Sequence, residues 1–114
     1  MKNLIKYEKP YVIAEIGCNH KGDMKIAHEM IQMAAIFCKV DAVKFQKRTP
    51  KELLTEEEYN APHPVPYNSY GATYGLHREA LEFTAEQHKI LKQLDELIFY
   101  ELISYKKYYN YGYF

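Results

Sequence analysis

YVIAEI at residues 11–16 stands between Pro10 and Gly17, and DAVKFQ follows at 41–46. The first is a short apolar run with one acid, bounded by chain breakers, which is the signature of a buried strand. After it, CNHKGD (18–23) supplies turn chemistry, with Asp23 placed to cap a helix. Apolar residues then recur at Ala27, Met30, Ile31, Ala34, Phe37 and Cys38, a spacing that predicts an amphipathic helix over 24–38. DAVKFQ reads as a second strand. Strand, helix and strand in about 35 residues make the βαβ unit of a parallel sheet, and hence an α/β fold.

Beyond this unit the chain changes character. Residues 47–83 carry Pro50, Pro62, Pro64, Pro66, Gly71 and Gly75, with short helical patches expected at 55–59 and 76–82. A connection of that length inside a compact fold is usually functional. Thr84 and Gln87 form a capping box that opens a helix whose apolar stripe is Ile90, Leu91, Leu94, Leu97 and Ile98. Residues 98–114 hold six of the chain's 12 tyrosines without a period of 2 or 3.6. That stretch reads as an aromatic strand, a sticky tail, or sequence foreign to the fold.

Composition excludes several functions. The chain has 114 residues, with 15 Lys and Arg against 15 Asp and Glu, so it lacks the positive field that nucleic acid requires. No segment is apolar for long enough to cross a membrane, and charges at Lys6, Glu8, Lys9 and Glu15 interrupt any signal-peptide core. Cys18 and Cys38 form no metal or disulfide pattern, so two free thiols in a reducing cytoplasm are expected. The five histidines show neither HxxxH nor HExxH spacing, and no metal site is expected from them. Of these, His20 alone falls near Glu15, while His28 and His88 read as surface or packing residues. No glycine-rich phosphate loop is present.

The strands themselves carry the candidate chemistry. Alternation puts Ala42, Lys44 and Gln46 on one face of the second strand and Val43 and Phe45 on the other. A lysine inside a parallel sheet calls for an anion, so Lys44 is a candidate phosphate or carboxylate ligand with Gln46 beside it. The other reading is a lysine snorkelling from an edge strand. Glu15 shares a face with Tyr11 and Ile13, near the C-terminal end of the first strand, where α/β folds place their active sites. A general acid or base, a sugar ligand, or half of a structural ion pair with a lysine are all open to it.

The string AEIGCNHKGD (14–23), followed by DAVKFQKRT (41–49) and YGLHREALEF (74–83), resembles the N-terminus of the sialic acid synthase family. The family includes N-acetylneuraminate, legionaminic acid and pseudaminic acid synthases, and the likeness runs from about residue 10 to 95. The resemblance implies a (β/α)8 TIM barrel followed by a small antifreeze-like domain, in a homodimer. It implies condensation of phosphoenolpyruvate with an N-acyl hexosamine such as N-acetylmannosamine, assisted by a divalent metal, Mn or Mg, whose ligands come from later strands. By position, Lys44 matches the phosphoenolpyruvate-binding lysine, Gln46 a sugar-contacting glutamine, Glu15 an essential acid, and Asn68 a sugar-contacting asparagine.

A barrel takes about 250 residues. Residues 1–97 are therefore expected to be two strands of one with their helices, and 98–114 a divergent tail. The chain is expected to be a truncated, inactive fragment, poorly soluble for want of strand partners. The alternative is a non-catalytic sugar- or anion-binding or interaction module. Lys39 and Val40 also replace the Gly-Ala usual in the family between helix and strand.

Overall fold

The structure is a computed structural model that describes residues 8–102 and 108–113, with side chains up to residue 98. Strand β1 (Ile13–Gly17) pairs in parallel with β2 (Ala42–Lys47), Ala14 opposite Val43 and Glu15 opposite Lys44. Both strands begin later than their apolar patterns do. The Asp41 carboxylate accepts the Val12 N–H at 2.8 Å, so a side chain closes the entrance of the ladder.

A helical layer covers one face of the sheet. Asp23 caps α1 (Met24–Gln32), accepting from the Lys25 and Ile26 N–H groups. Ala14 and Ile16 of β1, and Val43 and Phe45 of β2, pack under α1 and α5 (Ala85–Leu102) with Ala27, Ile31 and Leu91. Burying a side chain such as Phe45, fully enclosed here, contributes about 1.5–3 kcal/mol. Ile13, Glu15, Ala42, Lys44 and Gln46 alternate with the core residues and so belong to the face without helices.

The α-helix expected over 24–38 does not persist. After Gln32 the chain takes a π-helical turn, Met33–Phe37. Its wider turn shifts the phase, so Ala34 and Ala35 are buried while Phe37 is 72% exposed and Cys38 faces solvent. A uniform 3.6 period had placed Phe37 and Cys38 inside. Lys39 then adopts the left-handed conformation, φ 51°, at the point where a glycine would end a helix without strain.

Helices α2 (Pro50–Leu53), α3 (Glu56–Asn60) and α4 (Tyr74–Ala80) punctuate the long connection, with one 3-10 turn at Pro66–Asn68. The Thr55–Glu58 pair caps α3 reciprocally. His77 holds the loop to α4: its Nδ1 accepts from the Tyr70 N–H at 3.1 Å, and its ring meets His63 edge-on, centroids 4.4 Å apart.

The Thr84–Gln87 capping box is present as expected, at 2.9 and 3.1 Å. The buried line of α5 is rotated from the expected stripe. His88, Leu91 and Asp95 are buried, whereas Ile90 faces solvent and Leu97 is 61% exposed. His88 takes a core position because its ring stands edge-on to Phe45 and Phe83.

Beyond the two strands expected, β3 (Tyr108–Tyr113) pairs in parallel with β2, giving a sheet ordered β1-β2-β3. Of the tyrosine-rich stretch, residues 103–107 and 114 lie outside the described residues. The first strand is not buried as its composition implied: Tyr11, Val12 and Ile13 are about half exposed, because no strand among the described residues flanks β1 and its open face is uncovered. No described helix is long and apolar enough to cross a membrane.

Candidate functional site

At the C-terminal ends of β1 and β2 the open face forms a cavity of about 240 Å³ lined by Glu15, Gly17, Cys18, Asn19, Lys44 and Gln46. Its shape follows from a bulge. Glu15 pairs with Lys44, but Gly17 rather than Ile16 pairs with Phe45, so β1 carries one extra residue. Gly17 makes this possible with φ 57°, and a Cβ there would sit 3.8 Å from the Gln46 side chain. The turn that follows is closed by hydrogen bonds from the Asn19 side chain to the Ile16 carbonyl (2.8 Å) and from the Gly22 N–H to His20 Nδ1 (3.0 Å). Gly22 lies so near α4 that a Cβ would run into the Ala80 carbonyl oxygen.

Three of the four residues singled out in the sequence meet here. Lys44 Nζ donates to Glu15 Oε1 at 3.2 Å, with the lysine side chain 25% and the glutamate side chain 73% exposed. The ion pair foreseen as the structural role of Glu15 is therefore present. With one partner so open to water it is worth at most about 1 kcal/mol, and an incoming anion can displace the carboxylate. Gln46 Oε1 accepts from Arg48 Nη2 at 2.9 Å, which fixes its amide. Asn68 is elsewhere, exposed in the 3-10 turn and not among the cavity's lining residues.

His20, which the sequence placed nearest to Glu15, faces the opposite way. It is buried, stacked on Phe83 with centroids 3.9 Å apart, and close to Phe45 on the helix-covered face. Desolvation and the neighbouring His88 push its pKa down to about 4, against the pull of the Gly17 carbonyl, so at neutral pH it is an uncharged packing residue. Burial and the Glu82 carboxylate push the Cys18 thiol up, with Arg48 opposing, so the cavity's sulfur stays protonated and is a poor nucleophile.

Two groups that sequence reasoning passed over organise the rim. The nearly buried Glu82 carboxylate accepts the Arg48 N–H at 2.9 Å and lies 3.7 Å from Lys47 Nζ. It thereby ties the end of β2 to the start of α5. Arg48 stands inside the KFQKRT string but one residue past the strand, where alternation gives no guidance.

Comparison with known proteins bears on this geometry. A sequence profile of the NeuB family matches residues 30–98. The N-acetylneuraminate-9-phosphate synthase of Homo sapiens is 38% identical over 86 residues, 75% of this chain and 23% of that protein. The N,N'-diacetyllegionaminic acid synthase of Legionella pneumophila is 32% identical over 94 residues, 82% of this chain and 26% of that protein. A crystal structure of the N-acetylneuraminic acid (sialic acid) synthetase of Leptospira borgpetersenii serovar Hardjo-bovis in complex with citrate superposes with a TM-score of 0.58 at 26% identity. That superposition covers 81% of this chain and 27% of that one. The chain thus spans about a quarter of the length of the curated relatives it matches. A profile that takes in more than half of the residues, with β2 and most of α5 inside it, shows that the chain belongs to the NeuB family.

Proposed function

We propose that the chain supplies the first part of the active-site wall of a (β/α)8-barrel synthase that condenses phosphoenolpyruvate with an N-acyl hexosamine, such as N-acetylmannosamine, and releases phosphate. The observation that carries this reading is the convergence of Glu15, Lys44 and Gln46 on one cavity at the C-terminal ends of adjacent parallel strands. Barrel enzymes build their sites at that end, and sequential strand order with helices on one face is how a barrel winds.

In this account Lys44 exchanges its loose contact with Glu15 for the anionic groups of phosphoenolpyruvate. Gln46, held by Arg48, hydrogen-bonds the sugar, and Asn68 reaches the sugar from the long loop. Glu15, released from Lys44, acts as acid or base beside the sugar carbonyl. In the reaction, C3 of phosphoenolpyruvate bonds to the aldehyde carbon, water adds at C2, and the resulting tetrahedral centre expels phosphate. The described residues do not fit the divalent metal that the resemblance implies: no three His, Cys, Asp or Glu side chains among them converge to hold an ion. We place the protein in the cytoplasm, consistent with the free thiols of Cys18 and Cys38.

Calorimetric titration tests the reading. Phosphoenolpyruvate binds the chain, and Lys44→Ala weakens it at least tenfold. Unchanged affinity in that variant would overturn the role of Lys44. With phosphoenolpyruvate, N-acetylmannosamine and manganese, the 114-residue chain releases no phosphate above the blank. Turnover would show that one half of the wall suffices.

A further inference from the structure

The sheet runs β1-β2-β3, so among the described residues no strand flanks the outer edge of β1. The ladder on the other side of β1 fixes which main-chain groups reach that edge. Val12 accepts from the Asp41 and Ala42 N–H groups and donates to the Asp41 carboxylate, so its main chain faces β2. Alternation then turns the main-chain groups of Lys9, Ile13 and Glu15 outward and those of Pro10 and Ala14 inward. The proline, which has no N–H, therefore removes no donor from the outer edge. Tyr11, Val12 and Ile13 are 52%, 45% and 49% exposed along it. An apolar edge of this kind is a template for another strand.

The charges on the edge select a second copy of the same edge. Two identical edges joined into one sheet by a two-fold axis run antiparallel, with both helical layers on one side and both cavities on the other. Outward main-chain groups must meet outward ones, so the axis passes through a residue and not between two. Centred on Val12, the pairing sets Tyr11 opposite Ile13, an aromatic against a β-branched side chain, and Lys9 opposite Glu15. Lys9 and Glu15 are both exposed and by alternation share the open face, so opposite charges meet at each end of the interface. Centred on Ile13, Lys9 would meet Gly17 and Glu15 would meet Tyr11; centred on Tyr11, Lys9 would meet Ile13. Charges that would keep an edge apart in those registers hold it together in the one centred on Val12.

We propose that the chain dimerises by antiparallel pairing of its β1 edges about Val12, and that Lys9 of the second copy reaches the Glu15 carboxylate at the cavity. Glu15, 3.2 Å from Lys44 with its side chain 73% exposed, then lies between two cations. This rests on the sheet and its charges and not on the synthase reading. A closed barrel would set a further strand of its own at this edge; in the 114-residue chain the second copy takes that place.

Sedimentation velocity on the full chain, with charge exchange, tests the pairing. The unsubstituted chain sediments as a dimer. Lys9→Glu sets like charges opposite each other, as does Glu15→Lys, and each alone weakens the dimer at least tenfold. Mixed in equal amounts, the two variants face each other with opposite charges at both ends, and native mass spectrometry finds them as a heterodimer. Because Glu15→Lys also loses the contact with Lys44, urea midpoints check that both variants fold, and a cross-link gives a second reading. At the axis the two Val12 Cα atoms stand about 4.5 Å apart, within reach of a disulfide. In a Cys38→Ser background, oxidation therefore links copies carrying Val12→Cys and not those carrying Glu8→Cys. A monomer throughout a loading series, dimers indifferent to both charge variants, or folded variants that stay monomeric when mixed would overturn the pairing. Assemblies larger than a dimer, or linkage through Glu8→Cys in place of Val12→Cys, would overturn it as well.

Discussion

Lys39 holds a left-handed backbone, φ 51°, where the preceding helical segment ends and the chain turns toward β2. A side chain in that region costs about 1 kcal/mol relative to glycine. Lys39→Gly is therefore expected to raise stability by about 1 kcal/mol, read as a higher urea midpoint by tyrosine fluorescence, and Lys39→Ala to give no such gain. The family resemblance, with glycine usual at this position, had already marked Lys39 as a departure. His20 was not legible in the sequence: its place after the first strand pointed to the site, but the turn at Gly22 carries its ring under the sheet onto Phe83. The consequence is a pH dependence. Below about pH 6.5 the unfolded chain binds a proton that folded His20 refuses until about pH 4, so stability falls as pH drops through that window. The slope reaches about 1.4 kcal/mol per pH unit. His20→Phe keeps a ring on Phe83 but loses the acceptor for Gly22, so it lowers stability at pH 8 by about 1–3 kcal/mol while flattening the slope. Urea titrations at pH 7.5 and 5 read both effects. An unchanged slope would move the titration to His77 or His88, both also held low by burial.

At the scale of elements, cap chemistry was the most dependable signal. Asp23 and the Thr84–Gln87 box start α1 and α5 as their residue types require, because such contacts span only a few residues. Thr84→Ala leaves the Gln87 N–H without its side-chain acceptor and is expected to cost about 1 kcal/mol, measurable by urea unfolding. Periodicity was less dependable because it presumes an unbroken helix. The π turn at Met33–Phe37 breaks the phase and turns Phe37 outward, and the buried line of α5 runs through His88 and Asp95 rather than through Ile90 and Leu97. Polar residues at core positions cannot be found by searching for apolar ones. In the strands, by contrast, the period of two held. Val43 and Phe45 are buried under helices, and Lys44 and Gln46 line the cavity.

At the scale of the whole molecule, the sheet has one face closed by helices and one face open, and the open face carries the candidate chemistry. Strand alternation already paired Glu15 with Lys44 and Gln46, whereas Asn68 and Arg48 depend on how the 47–83 connection folds back, which no local pattern records. That open face is either a half-site for an anionic enol ester or only a solvated ion pair. The most direct measurement is a phosphoenolpyruvate titration of the chain with ¹⁵N-labelled lysine and glutamine side chains. The Lys44 ammonium and the Gln46 amide are expected to shift together along one saturation curve, while Lys21 and Lys47 stay still. Shifts confined to Lys47 or Lys21, or no shift at Lys44 up to saturating phosphoenolpyruvate, would contradict the half-site.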